Sequence, residues 1–242
     1  MNVLACLPPA SSLEGTPQEK ELLAKFLATI TSSGEVSAFE RDSKNLLFLL
    51  RKSKHDLDKA CTIHKEWSKW RREKECDSIS NEEIAEEIAD GICVWRGKDN
   101  AGRMVCVVTG RHLKVLSRKG TCRSFEKFLI KIVEDGIRMS NGDAESDRIC
   151  IVYDRRSMTF DNIDNILSKY CKPTLNSLAD FYGNRMGVLY VLHVNWFFKI
   201  AVDWVLRPLL GWVGMRENIV FVDDENEMKA KYFDADLFEV VA

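Results

Sequence analysis

The sequence predicts an α/β fold preceded by a helical subdomain, and two features carry this prediction. The first is a set of four short, continuously apolar runs at 104–108 (MVCVV), 149–153 (ICIVY), 188–194 (VLYVLHV) and 219–222 (IVFV). Such runs are typical of strands that are buried on both faces of a mostly parallel sheet. The second is the set of longer patterns between the runs, which have the apolar spacing of helices that cover such a sheet.

In the segment before the first of these runs, the sequence pattern predicts only helices. Apolar residues recur at helical spacing near the start, a block at 46–50 is apolar throughout, and a further helix follows the capping residue Asp56. Ser80 and Glu83 have the spacing of a capping box, and Gly91 is suited to a left-handed helix stop. The apolar positions of the first helix and of the helix after Asp56 are Leu22, Leu23, Phe26, Leu27 and Ile30, then Ala60, Ile63, Trp67 and Trp70.

Further helices are predicted in the α/β part at 124–139, 160–182, 196–210 and 226–231, with Pro173 expected to kink or split the second. The predicted organisation is a disordered leader at 1–18, a helical subdomain at 19–90 and an α/β domain at 91–242. The net charge of −2 argues against a nucleic-acid partner, and the eight scattered cysteines fit a reducing, cytoplasmic compartment. No cysteine–histidine spacing indicates a metal site, and a monomer is expected.

Two weak matches to catalytic motifs do not predict an enzyme. Cys150 and Arg156 have the spacing of a cysteine phosphatase, but strand-like residues replace the small residues of a phosphate-binding loop. Gly91 and Gly97–Lys98 are spaced wrongly for a nucleotide-binding loop, and Asp99 stands where a magnesium-binding hydroxyl is needed. No cofactor is predicted.

Five stretches in a fixed order resemble the motifs of the CRAL-TRIO family of lipid-binding and lipid-transfer proteins, over about residues 44–222. They include FLLRKSKHDLDKACTIHKEWSKWRRE at 48–73, KDNAGRMVCVV at 98–108 and ICIVYDRRSMTFDNI at 149–163. The other two are LADFYGNRMGVLYVLHVNWFF at 178–198 and RPLL at 207–210. The resemblance implies an α/β sheet with a helical N-terminal part and an apolar pocket under a movable gate helix.

The resemblance also implies a function, namely binding one hydrophobic, lipid-like molecule and transferring or presenting it between membranes without covalent chemistry. The alternative is a module of the same fold that has lost transport and binds protein partners such as small GTPases. The partners implied by the first reading are a lipid and, transiently, a membrane surface, so the chain is expected in the cytoplasm with reversible peripheral membrane association. The implied pocket residues are Ile149, Ile151, Tyr153, Leu189, Val191 and His193.

The apolar stretch at 185–213 resembles a membrane span at first sight. Lys199, Asp203 and Arg207 interrupt it, and each would cost about 2.5 to 3.5 kcal/mol near the bilayer centre. Asn195 is a suitable helix cap, and the three charges form one stripe on the helix that follows it. The resemblance makes this the gate helix, with the apolar residues Trp196, Phe197, Phe198, Ile200, Ala201, Trp204 and Val205.

The chain departs from the family at positions that identify the cargo. Asn184 and Asn218 stand where phosphatidylinositol-transferring members have a glutamate and a lysine. Ile149 and Ile151 stand where polar strand residues hold phosphocholine, and His193 replaces an asparagine before the gate. The identity of the ligand is therefore left open by the sequence.

Overall fold

The computed structural model describes residues 15–34, 36–112, 123–140, 148–157, 172–193 and 219–222, together with residues 226, 230 and 233. The described residues fall into two compact units, which divide between Ser78 and Ile79. The first unit is helical, and the second contains a five-stranded sheet with its helices.

The helical unit contains three α-helices, each with a side-chain cap. They are α1 (Pro17–Ser32), α2 (Ser43–Lys52) and α3 (Leu57–Glu73). Thr16 and Glu19 form a reciprocal capping box at α1, Asp42 accepts hydrogen bonds from two N–H groups of α2, and Asp56 caps α3. The predicted cap at Asp56 is thus confirmed, and the caps compensate the N–H groups that lack partners within each helix.

The core of the helical unit is apolar at its centre but includes polar side chains that the pattern did not predict. Phe26, Leu50 and Trp67 are fully buried, and so are most residues of the predicted block at 46–50. On α3, however, His64 and Arg71 lie on the buried face. The guanidinium of Arg71 stacks over the rings of Phe39 and Trp67, a cation–π arrangement that keeps a buried charge in favourable contact.

The second unit is built on one mixed sheet with the strand order β1-β2-β3-β4-β5. The strands are β1 (Cys93–Lys98), β2 (Met104–Thr109), β3 (Ile149–Asp154), β4 (Met186–Leu192) and β5 (Ile219–Val222). The first is antiparallel to its neighbour, and the other pairs are parallel. All four predicted strands are present, whereas β1 was missed because its sequence, CVWRGK, is polar after its third residue and lacks the continuous apolarity of a buried strand.

The helices of this unit are α4 (Ala85–Ala89), α5 (Arg123–Met139) and α6 (Lys172–Tyr182), with a 3₁₀ turn at Glu82–Ile84 before α4. Ser80 and Glu83 exchange the two hydrogen bonds of the predicted capping box, and Gly91 has the left-handed φ of 63° expected of a helix stop. Pro173 is the second residue of α6, a position that tolerates its missing N–H. The rest of the predicted helix at 160–182 lies outside the described residues.

Helix α5 packs against one face of the sheet, which we call the crossover face, where Trp95 and Ile149 point toward the helix. Gly136 makes this approach feasible, since a Cβ atom there would lie 2.2 Å from the Trp95 ring and 2.9 Å from Ile149 Cδ1. Helix α5 belongs to the connection between the parallel strands β2 and β3, so the helix of this crossover lies on that face.

Helix α6 is fixed to α5 by two hydrogen bonds from its own side chains. The Tyr182 hydroxyl donates to Glu134 Oε1 at 2.7 Å, and Thr174 Oγ1 donates to Glu126 Oε1 at 2.8 Å. Helix α4 is fixed in the same way, because Ser124 Oγ donates to Glu87 Oε1 at 2.6 Å. The three helices therefore form one connected layer beside the sheet.

Candidate functional site

The strand register arranges the crossover face into two rows of side chains that run across all five strands. Paired residues on neighbouring strands point to the same face, so each row can be read from the pairing. The first row is Trp95, Cys106, Ile151, Leu189 and Ile219. The second row, nearer the carboxyl ends of the parallel strands, is Cys93, Val108, Tyr153, Val191 and Phe221.

Five of the six pocket residues implied by the family resemblance lie together on the crossover face. Ile151 pairs with Leu189 and Tyr153 pairs with Val191, so these four belong to the two rows. Ile149 lies one step earlier on β3, next to Gly136 of α5. The sequence alone grouped the residues of β3 with one another and those of β4 with one another. The pairing of the two strands shows that the two groups are adjacent.

His193 is the exception among these residues. Strand β4 ends at Leu192, and His193 follows it in a bend with a φ of 55°. Its side chain is 37% exposed, and its Nε2 lies 3.9 Å from Asp154 Oδ1. A left-handed residue breaks the alternation of a strand, so His193 does not extend the row of Leu189 and Val191.

The predicted gate helix lies outside the described residues. This applies to all seven of its apolar positions, Trp196, Phe197, Phe198, Ile200, Ala201, Trp204 and Val205. Its role stays a prediction.

The two faces of the central strands differ in burial. On β3, Cys150 and Val152 point away from the crossover face and have no exposed surface. They belong to an apolar cluster of buried residues that includes Tyr190 and Phe233. Ile151 and Tyr153, on the crossover face of the same strand, are only half-buried. Leu189 on β4 is half-buried as well, although both of its neighbours in the chain are buried. On β3 and β4 the half-buried residues all lie on the crossover face, although Ile149 and Val191 on that face are buried.

The polar side chains of the two rows are a tyrosine, two cysteines and an indole, and the Tyr153 hydroxyl is hydrogen-bonded to Arg155. Burial raises the pKa of Tyr153 to about 12, although the charge of Arg155 and a hydrogen bond to it act in the opposite direction. A hydrogen bond with Cys93 and burial both raise the pKa of the Cys106 thiol. The indole Nε1 of Trp95 is buried and has no hydrogen-bond partner among the described residues. A buried N–H of this kind is uncommon in folded proteins.

Charged groups lie instead at the ends of the strands. At the carboxyl end of β3, Asp154 accepts hydrogen bonds from Arg156 Nε at 2.8 Å and from the Arg156 backbone at 2.9 Å. Burial raises the pKa of Asp154, but these hydrogen bonds and nearby positive charges outweigh it and leave the pKa below its usual value. Asp154 is therefore ionised near neutral pH and paired.

The turn between β1 and β2 contains a second ion pair, at the opposite end of the parallel strands. Asp99 accepts hydrogen bonds from the backbone N–H groups of Ala101 and Arg103 and from Arg103 Nε at 2.7 Å. Burial lowers the pKa of Arg103, but Asp99 raises it above its usual value. The sequence identified this segment only as a family motif, and the structure shows that its aspartate and arginine fix the turn.

The weak phosphatase match has no support in the geometry. Cys150 lies inside β3 rather than in a loop, and burial raises the pKa of its thiol, which opposes formation of the nucleophilic thiolate. Arg156 is engaged by Asp154. Within the described part of the chain, no group of three or more metal-ligating side chains occurs, and no helix is long and apolar enough to cross a membrane.

Comparison with known proteins gives a family and a structural relative. A family model described as the CRAL/TRIO domain matches residues 88–240. The crystal structure of Sfh5 superposes with a TM-score of 0.67 at 15% sequence identity, covering 90% of this chain and 85% of the Sfh5 chain. No curated protein gives a significant sequence match. At this identity the likeness to Sfh5 concerns the fold, and the family match covers more than half of the chain.

Proposed function

Because the chain belongs to the CRAL/TRIO family, we propose that it binds one hydrophobic, lipid-like molecule and transfers or presents it between membranes. The family is one of lipid-binding and lipid-transfer proteins. The proposed binding surface is the crossover face, with Ile149, Ile151, Tyr153, Leu189 and Val191 against the ligand. The proposed mechanism is physical: the ligand is shielded from water and carried, and no covalent bond changes.

The difference in burial between the two faces of β3 and β4 is the observation that carries this proposal. Exposed apolar surface at the centre of a sheet is unfavourable by about 25 cal/mol per Å², so proteins usually cover it. Ile151, Tyr153 and Leu189 keep such surface, while Cys150 and Val152 behind them are fully buried. An apolar ligand on the crossover face would cover these side chains.

The segment that follows β4 completes the proposed mechanism. We assign its apolar residues, from Trp196 to Val205, to a gate helix that closes over the ligand and touches a bilayer when it opens. This assignment rests on sequence and family resemblance. It is consistent with the described residues, because β4 ends at Leu192, one residue after Val191 of the second row. We also propose that the protein acts in the cytoplasm and contacts membranes transiently.

A pair of substitutions on opposite faces tests the proposed binding surface. Leu189→Trp adds volume to the crossover face, and Val107→Trp adds the same indole to a half-buried position that packs against the opposite core. The purified variants are incubated with phospholipid vesicles that contain neutral lipids, separated from them, and analysed by extraction and mass spectrometry. Melting temperatures of both variants show whether each is folded.

We expect Leu189→Trp to reduce bound lipid at least tenfold and to slow vesicle-to-vesicle transfer, because the indole fills space meant for the ligand. Val107→Trp should retain both. Equal retention of lipid by the two folded variants would exclude the crossover face as the binding surface. Absence of lipid from the unsubstituted protein would favour the alternative of a protein-interaction module.

A further inference from the structure

A cation lies at the edge of the proposed binding surface, and it bears on the chemistry of the ligand. Arg155 directly follows β3, and its guanidinium is hydrogen-bonded to the hydroxyl of Tyr153 in the second row. An arginine side chain has only donors, so the Tyr153 oxygen accepts this hydrogen bond. Both side chains are half-buried. At the carboxyl end of β3, the apolar rows therefore adjoin a positively charged group.

The surroundings of Arg155 favour contact with an anion. Burial lowers the pKa of Arg155, although the charge of Tyr153 and the hydrogen bond to it act in the opposite direction. Burial also raises the pKa of Tyr153 to about 12, so the phenol keeps its proton near neutral pH. An anion in direct contact stabilises a partly buried guanidinium, and a protonated phenol can donate a hydrogen bond to the same anion.

The neighbouring carboxylate of Asp154 binds a different cation. Asp154 alternates with Tyr153 along β3 and so points to the opposite side of the sheet. Arg156 Nε donates a hydrogen bond to Asp154 at 2.8 Å, and the two residues form an ion pair. The two consecutive arginines are thus placed differently, with Arg155 beside the second row and Arg156 in an ion pair at the end of the strand.

The residues around Tyr153 favour a small anionic group on a long apolar chain. In the second row Tyr153 lies between Val108 and Val191, and the first row continues the apolar surface with Ile151 and Leu189. A carboxylate has two oxygens, which match a guanidinium and a phenol, and it has no polar group beyond them. The phosphate of a phospholipid carries a glycerol and a headgroup, whose oxygens would find no donor on the two valines.

We infer that the ligand held on the crossover face is a long-chain carboxylic acid, bound as its carboxylate by Arg155 and Tyr153. This inference rests on the proposed function, since it concerns the same surface and names the class of lipid. The carboxylate accepts hydrogen bonds from the guanidinium and from the phenol, and the apolar chain lies along Ile151 and Leu189.

Competitive loading with two lipids that differ only in their polar end tests the inference. The full-length protein is incubated with phosphatidylcholine vesicles that contain equal amounts of oleate and oleyl alcohol, re-isolated, and analysed by quantitative mass spectrometry. We expect oleate to approach one molecule per protein, with oleyl alcohol and phospholipid each lower by about tenfold or more. Oleyl alcohol or phospholipid at one molecule per protein, with oleate lower, would overturn the inference and leave the proposed function intact. Absence of every lipid would overturn the proposed function and the inference together.

Arg155→Gln tests the cation itself, because glutamine keeps a polar side chain and removes the charge. It should weaken binding of oleate by about ten- to hundredfold, the usual value of a hydrogen bond to a charged group, and leave binding of oleyl alcohol unchanged. Arg156→Gln removes the same charge one residue further along the chain and should alter neither affinity. Equal weakening of oleate binding in the two variants would assign the effect to net charge and contradict direct contact with Arg155.

Tyr153→Phe provides a second test of the same contact, and it does not depend on whether Arg155→Gln folds. Phenylalanine keeps the ring and removes the hydroxyl, so binding of oleate should weaken by about two- to tenfold, the usual value of one hydrogen bond. Binding of oleyl alcohol should weaken less. An unchanged affinity for oleate in folded Tyr153→Phe would contradict the assigned role of the phenol.

Discussion

Ile151 on β3 lies directly opposite Leu189 on β4, and both side chains point to the crossover face at the centre of the sheet. Each is half-buried, whereas the adjacent residues Val152 and Val188, on the opposite face, are buried. At this pair the sheet is apolar, and the described part of the chain does not fully cover it. These two residues lie at the centre of the proposed lipid-binding surface.

The contact between Gly136 and Trp95 predicts a large effect of a small substitution. Gly136→Ala would place a methyl group 2.2 Å from the Trp95 ring, so α5 must move away from the sheet. We expect a loss of about 1–3 kcal/mol in the free energy of unfolding, as for other overpacked cores. Chemical denaturation followed by circular dichroism measures it. In a Trp95→Ala background the same substitution should cost much less, because only the contact with the movable Ile149 Cδ1 at 2.9 Å remains. An undiminished cost there would contradict the proposed clash.

Substitution of Glu19, in the helical unit, should also lower stability. Its carboxylate accepts hydrogen bonds from Arg51 Nε at 2.8 Å and from the Thr16 backbone at 2.9 Å, and His55 Nε2 lies 2.9 Å away. Glu19→Gln should lower the free energy of unfolding by about 1–3 kcal/mol, because these donors lose a charged acceptor. Glu21→Gln, on the same helix, removes only an exposed pair with Lys25 and should have little effect. Similar losses in the two variants would contradict this account.

The same carboxylate predicts a dependence on acid pH. The hydrogen bond from Arg51 is the main cause that holds the pKa of Glu19 well below its usual value of 4.5. The unfolded chain therefore takes up a proton at a higher pH than the folded chain does. The stabilisation is complete above that ordinary value and is lost as the pH falls below it. Thermal unfolding of the unsubstituted protein and Glu19→Gln should converge at low pH, and a constant difference between them would be inconsistent with this linkage.

The buried His64 should make the stability of the protein depend on pH in a second range, above that of Glu19. It is buried between the rings of Phe26 and Trp67, and its Nε2 has no hydrogen-bond partner among the described residues. Burial lowers its pKa from 6.5, although the nearby carboxylate of Glu40 acts in the opposite direction. Because the unfolded chain binds a proton near pH 6.5 and the folded chain does not, stability should fall as the pH drops below that value.

The substitution His64→Phe isolates this effect, since phenylalanine keeps the ring contacts and cannot be protonated. The variant should lose the decrease in melting temperature between pH 7 and pH 5 (roughly the range over which histidine titrates). His193→Gln, which removes an exposed histidine, should keep the decrease. An unchanged pH profile in His64→Phe would show that another group is responsible.

The sequence predicted the parallel strands because short, continuously apolar runs are typical of strands that are buried on both faces. It missed β1, whose edge position leaves residues such as Arg96 and Lys98 tolerable. It also missed the buried Arg71, because a cation stacked between Phe39 and Trp67 and paired with Asp77 cannot be inferred from helical spacing. In both cases the apolar periodicity of a single segment gave no signal of the structure that forms.

The candidate site was only partly predictable, because the sequence does not show which residues of neighbouring strands are paired. Alternation along one strand grouped Ile151 with Tyr153 and Leu189 with Val191, but only the register shows that these pairs adjoin. His193 was grouped with Leu189 and Val191, yet its left-handed backbone ends the strand before it. Trp95 belongs to the site only because β1 joins the sheet, and the lack of a partner for its N–H among the described residues depends on the fold.

The most direct test of the central claim is native mass spectrometry of the full-length protein after incubation with vesicles and re-isolation. The account predicts a complex heavier than the bare chain by the mass of one lipid molecule, which Leu189→Trp abolishes and Val107→Trp retains. A folded, unsubstituted protein that shows only the mass of the bare chain would contradict the claim that this fold carries a lipid.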